Sequence, residues 1–188
     1  MKSSKACYVW LYQLALLCAS TRFGSDVAAF STPSAADLVI RVEPATTDDM
    51  PLARKLILKE KMNPLSMSAE NMMVARNDED VLLGFGQVRS LDDTFAELAS
   101  VFVLPEYRRQ GVATEILKEL LVRHDLSNPS QKVCLLTLKP TTPLYEAQGF
   151  RLVDDMSAMP KSLQVEFALG NAVSFILQNE LVCMCRKT

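Results

Sequence analysis

Arg108-Arg109-Gln110-Gly111 stands between an apolar run and an amphipathic segment that opens with Val112-Ala113-Thr114. A helix N-terminus carries unpaired backbone N–H groups and roughly half a positive charge. It attracts phosphate when the preceding loop lets the backbone come close. Gly111 leaves no side chain at the crowded point. Arg108 and Arg109 add charge, and one guanidinium can donate two bonds to one phosphate. Thr114 places a hydroxyl in the first turn. The loop therefore suits a pyrophosphate. The sequence contains neither GxxxxGK[ST] nor GxGxxG, which argues against P-loop and Rossmann nucleotide sites.

Other reactive side chains are few. Glu97 sits between Ala96 and Leu98 in the apolar run FAELASVFV, where a carboxylate is costly unless it is paired or used. His124, the only histidine, falls at the end of the amphipathic segment and reads as a charge partner for a helix C-terminus. Cys134 has apolar flanks, and nothing near it in sequence lowers its pKa. Strand alternation puts Cys183 and Cys185 on one face, as small buried hydrophobes. The odd cysteine count, without framework spacing, argues against a disulfide-stapled domain. Two cysteines alone leave a zinc site short of ligands, so no metal is expected.

The elements that position these residues follow from periodicity. Leu38 to Val42 reads as a strand stopped by Pro44. Thr46 to Asp49 is a helix start, with Pro51 tolerated in its first turn, and a second short helix follows from Ser68. Met73–Arg76 and Val81–Val88 are strands around the Asn77–Asp80 turn, and Asp92-Asp93 marks another turn. Phe95–Val103 is the longest strand, followed by a helix from about Gly111 to His124. Val133–Leu138 is nearly all apolar, as in a strand covered on both faces. Pro143–Gln148 forms a short helix capped by Gly149, and Phe150 begins another strand. Residues 163–177 show helical spacing that Gly170 divides, and Leu181–Cys185 closes as a strand. The order is mixed α and β.

With the strand before it and the helix after it, Arg108-Arg109-Gln110-Gly111-Val112-Ala113 resembles the [QR]-x-x-G-x-[GA] motif of the GNAT superfamily of N-acetyltransferases. PLYEAQGF, some 30 residues on, resembles that family's Y-x-x-x-G-F element. The resemblance spans about Leu38 to Arg186. It implies an α/β (mixed α+β) fold: a central, mostly antiparallel sheet with a splayed parallel strand pair and helices on both faces. It implies acetyl-CoA as co-substrate, with the pyrophosphate on Arg108, Arg109, Gln110, Gly111, Val112, Ala113 and Thr114. Pantetheine would lie along the backbone of Val101, Phe102 and Val103. Glu97 matches the general base many members carry, and alternation would set it on one face with Ala99, Val101 and Val103. An ammonium must lose a proton before it attacks, and a carboxylate can take it. Tyr145 matches the tyrosine often assigned to the departing thiolate. The implied reaction is direct acetyl transfer to a primary amine: a protein N-terminus, a lysine or a small amine. A non-catalytic acyl-CoA-binding module is the alternative, since it needs the loop but neither Glu97 nor Tyr145. The acceptor pocket would fall around Met62–Met73 and Met156–Asn179, which carry no charge signature.

Residues 1–29 read as a targeting presequence: Lys2 and Lys5, then an apolar stretch over residues 6–19, then Val27-Ala28-Ala29. The apolar stretch falls short of the roughly 20 residues of a spanning helix, so no stable anchor is expected after processing. The junction VAAF followed by STPS resembles the bipartite plastid presequences of algae with complex plastids. Residues 30–37 would be a short transit-like linker and 38–188 the acetyltransferase domain. A plastid location is expected, with secretion as the alternative, and the free thiols suit a reducing compartment. The chain of 188 residues carries a formal net charge of -2. It lacks the basic surplus of a sequence-independent nucleic-acid binder. Nothing in the sequence speaks to oligomeric state.

Overall fold

The structure is a computed structural model that describes residues 38–60, 62, 64, 66–176 and 180–186. The expected presequence and linker lie outside the described residues. Among the described residues no helix is long and apolar enough to cross a membrane.

The strands are β1 (Arg41–Pro44), β2 (Met72–Arg76), β3 (Leu82–Ser90), β4 (Phe95–Val103), β5 (Lys132–Leu138), β6 (Phe150–Leu152) and β7 (Leu181–Arg186). They form one seven-stranded sheet in the order β1-β2-β3-β4-β5-β7-β6. Neighbours are antiparallel except β4 and β5, which run parallel. The helices are α1 (Met50–Lys59), α2 (Val112–Ser127), α3 (Thr142–Glu146) and α4 (Lys161–Ile176).

Each face of the sheet buries its own core. On one face Ile116, Leu117, Leu120 and Leu121 of α2 meet Leu83, Leu98, Val133 and Leu135, with Leu144 and Tyr145 of α3 alongside. On the other face α1 packs Ala53 and Ile57 against Val74, Phe85 and Phe102. There Leu163 of α4 covers Cys134 and Cys183. The i, i+4 apolar spacing of α2 produces this stripe directly.

Three expectations change. The helix anticipated from Ser68 is only a 3-10 turn, Ala69–Asn71. Gly170 does not divide the last helix, because α4 runs through it from Lys161 to Ile176. A side chain at Gly170 would bring its Cβ to 2.5 Å from Leu181 Cδ2, so this glycine allows the close approach of α4 to β7. Cys134 and Cys185 are joined in a disulfide (S–S 1.94 Å). They stand directly opposite each other on β5 and β7, a pairing between positions 51 residues apart that spacing alone does not reveal. The disulfide removes two of the thiols that suggested a reducing compartment; Cys183 is free and buried.

Candidate active site

The loop from Arg108 to Thr114 takes a backbone with two left-handed residues. Arg109 (φ 64°) and Gly111 (φ 87°) both take left-handed conformations. Gly111 is the N-cap of α2, and no side chain caps the helix. Left-handed residues alternating with ordinary ones turn successive N–H groups toward one concavity, which binds anions. The first-turn amides of α2 have no carbonyl partner within the helix. Gly111 is required for its φ rather than for crowding, since a Cβ there would have no atom within 4 Å.

The two arginines differ. Arg108 Nε donates to the Val103 carbonyl (2.9 Å) and its Nη2 to Glu60 (3.2 Å). Its guanidinium also lies 6.0 Å from the centre of the Phe102 ring. Arg108 thus braces the loop against the end of β4 and of α1. Arg109 is exposed and makes no hydrogen bond or ion pair with the described residues. Gln110 Nε2 donates to the Glu106 carbonyl (2.9 Å), while its buried Oε1 is unpartnered.

β4 leads into this loop along one arm of an open gap. Its pairing with β5 covers Phe95 to Glu97 opposite Lys132 to Cys134 and then stops. Both strands continue beyond that point, so the sheet splays from Glu97 toward the loop. On its other edge β4 steps from Ala99 opposite Gln87 to Phe102 opposite Phe85, one residue too many. The bulge centres on Ser100, at φ 55°. Buried Gln87 holds it, donating from Nε2 to Ser100 Oγ (3.2 Å) and to the Ser66 carbonyl (3.3 Å).

The bulge overturns the expected common face. Val101 and Val103 pack toward α2, whereas Glu97 turns to the α4 face, because an extra residue reverses the alternation. Glu97 is 5% exposed, and its Oε2 accepts from Arg89 Nε (2.9 Å) and Nη2 (2.5 Å). The same Arg89 Nη2 lies 3.5 Å from Glu166 on α4. Burial first, and the Glu97 charge second, raise the Glu166 carboxyl above its ordinary range; Arg89 offsets part of this.

Tyr145 lies across the sheet from Glu97, on the α2 face. Its ring meets Phe150 edge-on at 6.1 Å. Burial pushes its hydroxyl above the usual phenol range, and a hydrogen bond with Thr137 near the end of β5 offsets part of the shift. The gap is thus flanked by the Val101–Val103 backbone on β4 and by Tyr145 beside β5. Glu97 sits at its apex on the opposite face.

Residues 68–152 match a family model described as an acetyltransferase (GNAT) domain. The fold is the GNAT fold. No curated protein sequence matches the chain. Among solved structures it is similar to Rv2747 from Mycobacterium tuberculosis in complex with CoA and NLQ. That match has a TM-score of 0.62 and 18% identity and covers 79% of this chain and 99% of the other. It is similar to N-acetylglutamate synthase from Neisseria gonorrhoeae complexed with coenzyme A and L-arginine, at TM-score 0.60 and 14% identity. There 79% of this chain covers only 33% of the longer protein. It also resembles the ribosomal-protein-S18-alanine N-acetyltransferase from Escherichia coli, at TM-score 0.53 and 15% identity, covering 79% and 93%.

Arg89, Gln87 and Glu166 belong to this site and carried no functional expectation in the sequence. Counting outward from an Asp92-Asp93 turn would set Arg89 opposite Ala96; the register, centred on Asp93, sets it opposite Glu97. Glu166 had no local signal.

Proposed function

We propose that this chain is an acetyl-CoA-dependent N-acetyltransferase acting on a primary amine. The observation that carries the reading is the union of two features: a β4–β5 gap open from Glu97 onward, leading to an uncapped helix N-terminus on a left-handed loop. A gap of this kind takes an extended pantetheine, and the loop takes its diphosphate. Arg109 is the exposed cation of the pair, without a partner among the described residues, and Arg108 fixes the loop.

The amine enters from the α4 face. Arg89 serves two carboxylates, so the group carries a net negative charge that attracts an ammonium ion. Glu97, through its Oε1 and a water, takes the proton. The nitrogen lone pair attacks the thioester carbonyl, and backbone N–H groups of Val101–Val103 stabilise the oxyanion. The C–S bond then breaks, Tyr145 donates its proton to the leaving thiolate, and the second proton of the attacking nitrogen leaves through water and restores the tyrosine. The acceptor is a protein N-terminus, a lysine or a small amine. Acetyl-CoA offered with a mixed panel of peptides and small amines, read by mass spectrometry, tests this. An acetylated amine is expected; none across the panel removes the enzymatic reading.

One observation favours a second reading, a non-catalytic acyl-CoA-binding module: Oε2 of the candidate base is already held by Arg89. Glu97→Gln separates the two. An enzyme loses turnover while keeping CoA affinity; a binding module has no turnover to lose. The plastid presequence is a further proposal, resting on the VAAF–STPS junction alone. N-terminal sequencing of the protein from cells checks it, with a start near Phe30 expected.

A further inference from the structure

Gln87 is 1% exposed, deeper than Glu97 itself. It stands on β3 between Phe85 and Arg89, and alternation puts all three on the face that α1 and α4 cover. A buried amide is costly unless both of its ends are paired. Here Oε1 accepts from the Ser68 N–H (3.4 Å), and Nε2 donates to the Ser66 carbonyl (3.3 Å) and to Ser100 Oγ (3.2 Å). The two backbone partners settle which end is oxygen and which is nitrogen. They also fix the amide to the Ser66–Ser68 segment, so the third bond reaches β4 from a held group.

Ser100 is where β4 carries its extra residue. Ala99 stands opposite Gln87 and Phe102 opposite Phe85, so Ser100 and Val101 share Gly86 as their partner. At φ 55° Ser100 occupies the left-handed region, which a residue with a Cβ disfavours. The bond from Gln87 offsets that preference. The bulge in turn sets a phase along the strand. Leu104 N–H donates to the Leu83 carbonyl (2.9 Å), toward β3, so alternation turns the Val103 N–H to the other edge, into the gap. On the far side of the bulge, Glu97 faces α4. Without the extra residue, one half of β4 would be rotated half a turn relative to the other. Either Glu97 would then face α2, or the gap-facing amides would turn to β3.

We propose that Gln87 is a positioning residue for acetyl transfer. By holding Ser100 in the bulge, its buried amide keeps the proton acceptor on the acceptor face while the β4 amides face the thioester. Gln87 itself touches neither substrate; it acts through the backbone of Ser100. The inference rests on the acetyltransferase reading above.

The experiment compares the full chain, Gln87→Met, and Gln87→Met combined with Ser100→Gly. Turnover of acetyl-CoA with an amine from the panel is measured beside CoA affinity by calorimetry. Methionine matches the length of glutamine and lacks the amide. Gln87→Met is expected to lower kcat about a hundredfold, the effect of a misplacement of about 1 Å. CoA affinity stays within about twofold, because the loop that takes the diphosphate is untouched. Glycine adopts a left-handed φ unaided, so adding Ser100→Gly brings kcat back to within about tenfold of the parent. A purely packing role predicts no such rescue, since the glycine removes one more side chain. Should Gln87→Met not fold, Ser100→Val decides: it keeps Gln87 but resists the left-handed φ, and the same loss of kcat at unchanged CoA affinity is expected. Full kcat in either folded variant, or a loss in Gln87→Met that the glycine leaves unrepaired, overturns the positioning role alone. A parent that binds CoA and acetylates nothing removes the acetyltransferase reading and this role with it.

Discussion

Arg89 is the side chain whose loss tests the site most directly. It is the ion-pair partner of Glu97, whose side chain is 7% exposed, and its own side chain is 19% exposed. Removing one member of a buried pair strands the other and costs about 3–5 kcal/mol. Partial access of Arg89 to water puts Arg89→Met at the low end, about 3 kcal/mol. With a urea m-value of about 2 kcal/mol/M, the midpoint falls by about 1.5 M. Replacing both partners, Arg89→Met with Glu97→Leu, removes the buried carboxylate and leaves only the part-exposed Glu166 without its cation, so most of the loss is recovered, to within about 1 kcal/mol of the parent. The penalty also depends on pH. In Arg89→Met the Glu166 carboxyl loses the cation that partly offsets its burial and the Glu97 charge, so its folded-state pKa rises further above the unfolded one. The Glu166 carboxyl already lies on the high side. A raised folded pKa means that the destabilisation is absent below the unfolded value and grows as pH rises through the folded one. The gap between parent and variant therefore closes between about pH 7 and about pH 4.5. Urea titrations at both pH values measure it. A cost under about 1 kcal/mol at pH 7, or a gap that does not narrow in acid, refutes the buried pair.

Further outcomes are expected at the loop, at Tyr145 and at the disulfide. Arg109→Ala leaves the thermal midpoint unchanged and weakens CoA binding about tenfold, the worth of one charge-assisted bond. Arg108→Ala lowers both, because it also frees the Val103 carbonyl and Glu60; calorimetry and thermal melts distinguish the two. Tyr145→Phe keeps the edge-on contact with Phe150 and hence the fold, but kcat falls about a hundredfold with little change in KM for acetyl-CoA. In the parent, the alkaline limb of the kcat profile lies above the ordinary phenol range, since burial keeps this hydroxyl protonated. Reduction of Cys134–Cys185 releases a cross-link between positions 51 apart and costs about 4 kcal/mol by the chain-entropy relation, read as a lower urea midpoint in reductant. Burial, and then the Glu97 charge, push the Cys183 thiol up to about 11, so it does not reshuffle, and non-reducing peptide mapping finds Cys134 joined to Cys185.

The loop from Arg108 to Thr114 and the elements around it were legible in the sequence because their determinants are contiguous: a strand, a glycine and an amphipathic stripe, all within about 30 residues. Helix capping, turn chemistry and hydrophobic period are local interactions, so they survive in one dimension. The strand identities and the parallel β4–β5 pair were accessible for the same reason, through the family pattern they carry. The rest was decided in three dimensions. The bulge at Ser100 has no glycine or proline to announce it; Gln87, 13 residues away, holds it and thereby turns Glu97 to the other face. The Arg89–Glu97–Glu166 cluster joins two strands and a helix, and the disulfide joins β5 to β7. His124 sits where a helix-end cation would be expected, yet packing makes it a buried neutral ring. In each case the partner is distant along the chain, and burial sets the energy of a charge or a polar atom. Burial is a property of the assembled fold, not of any segment.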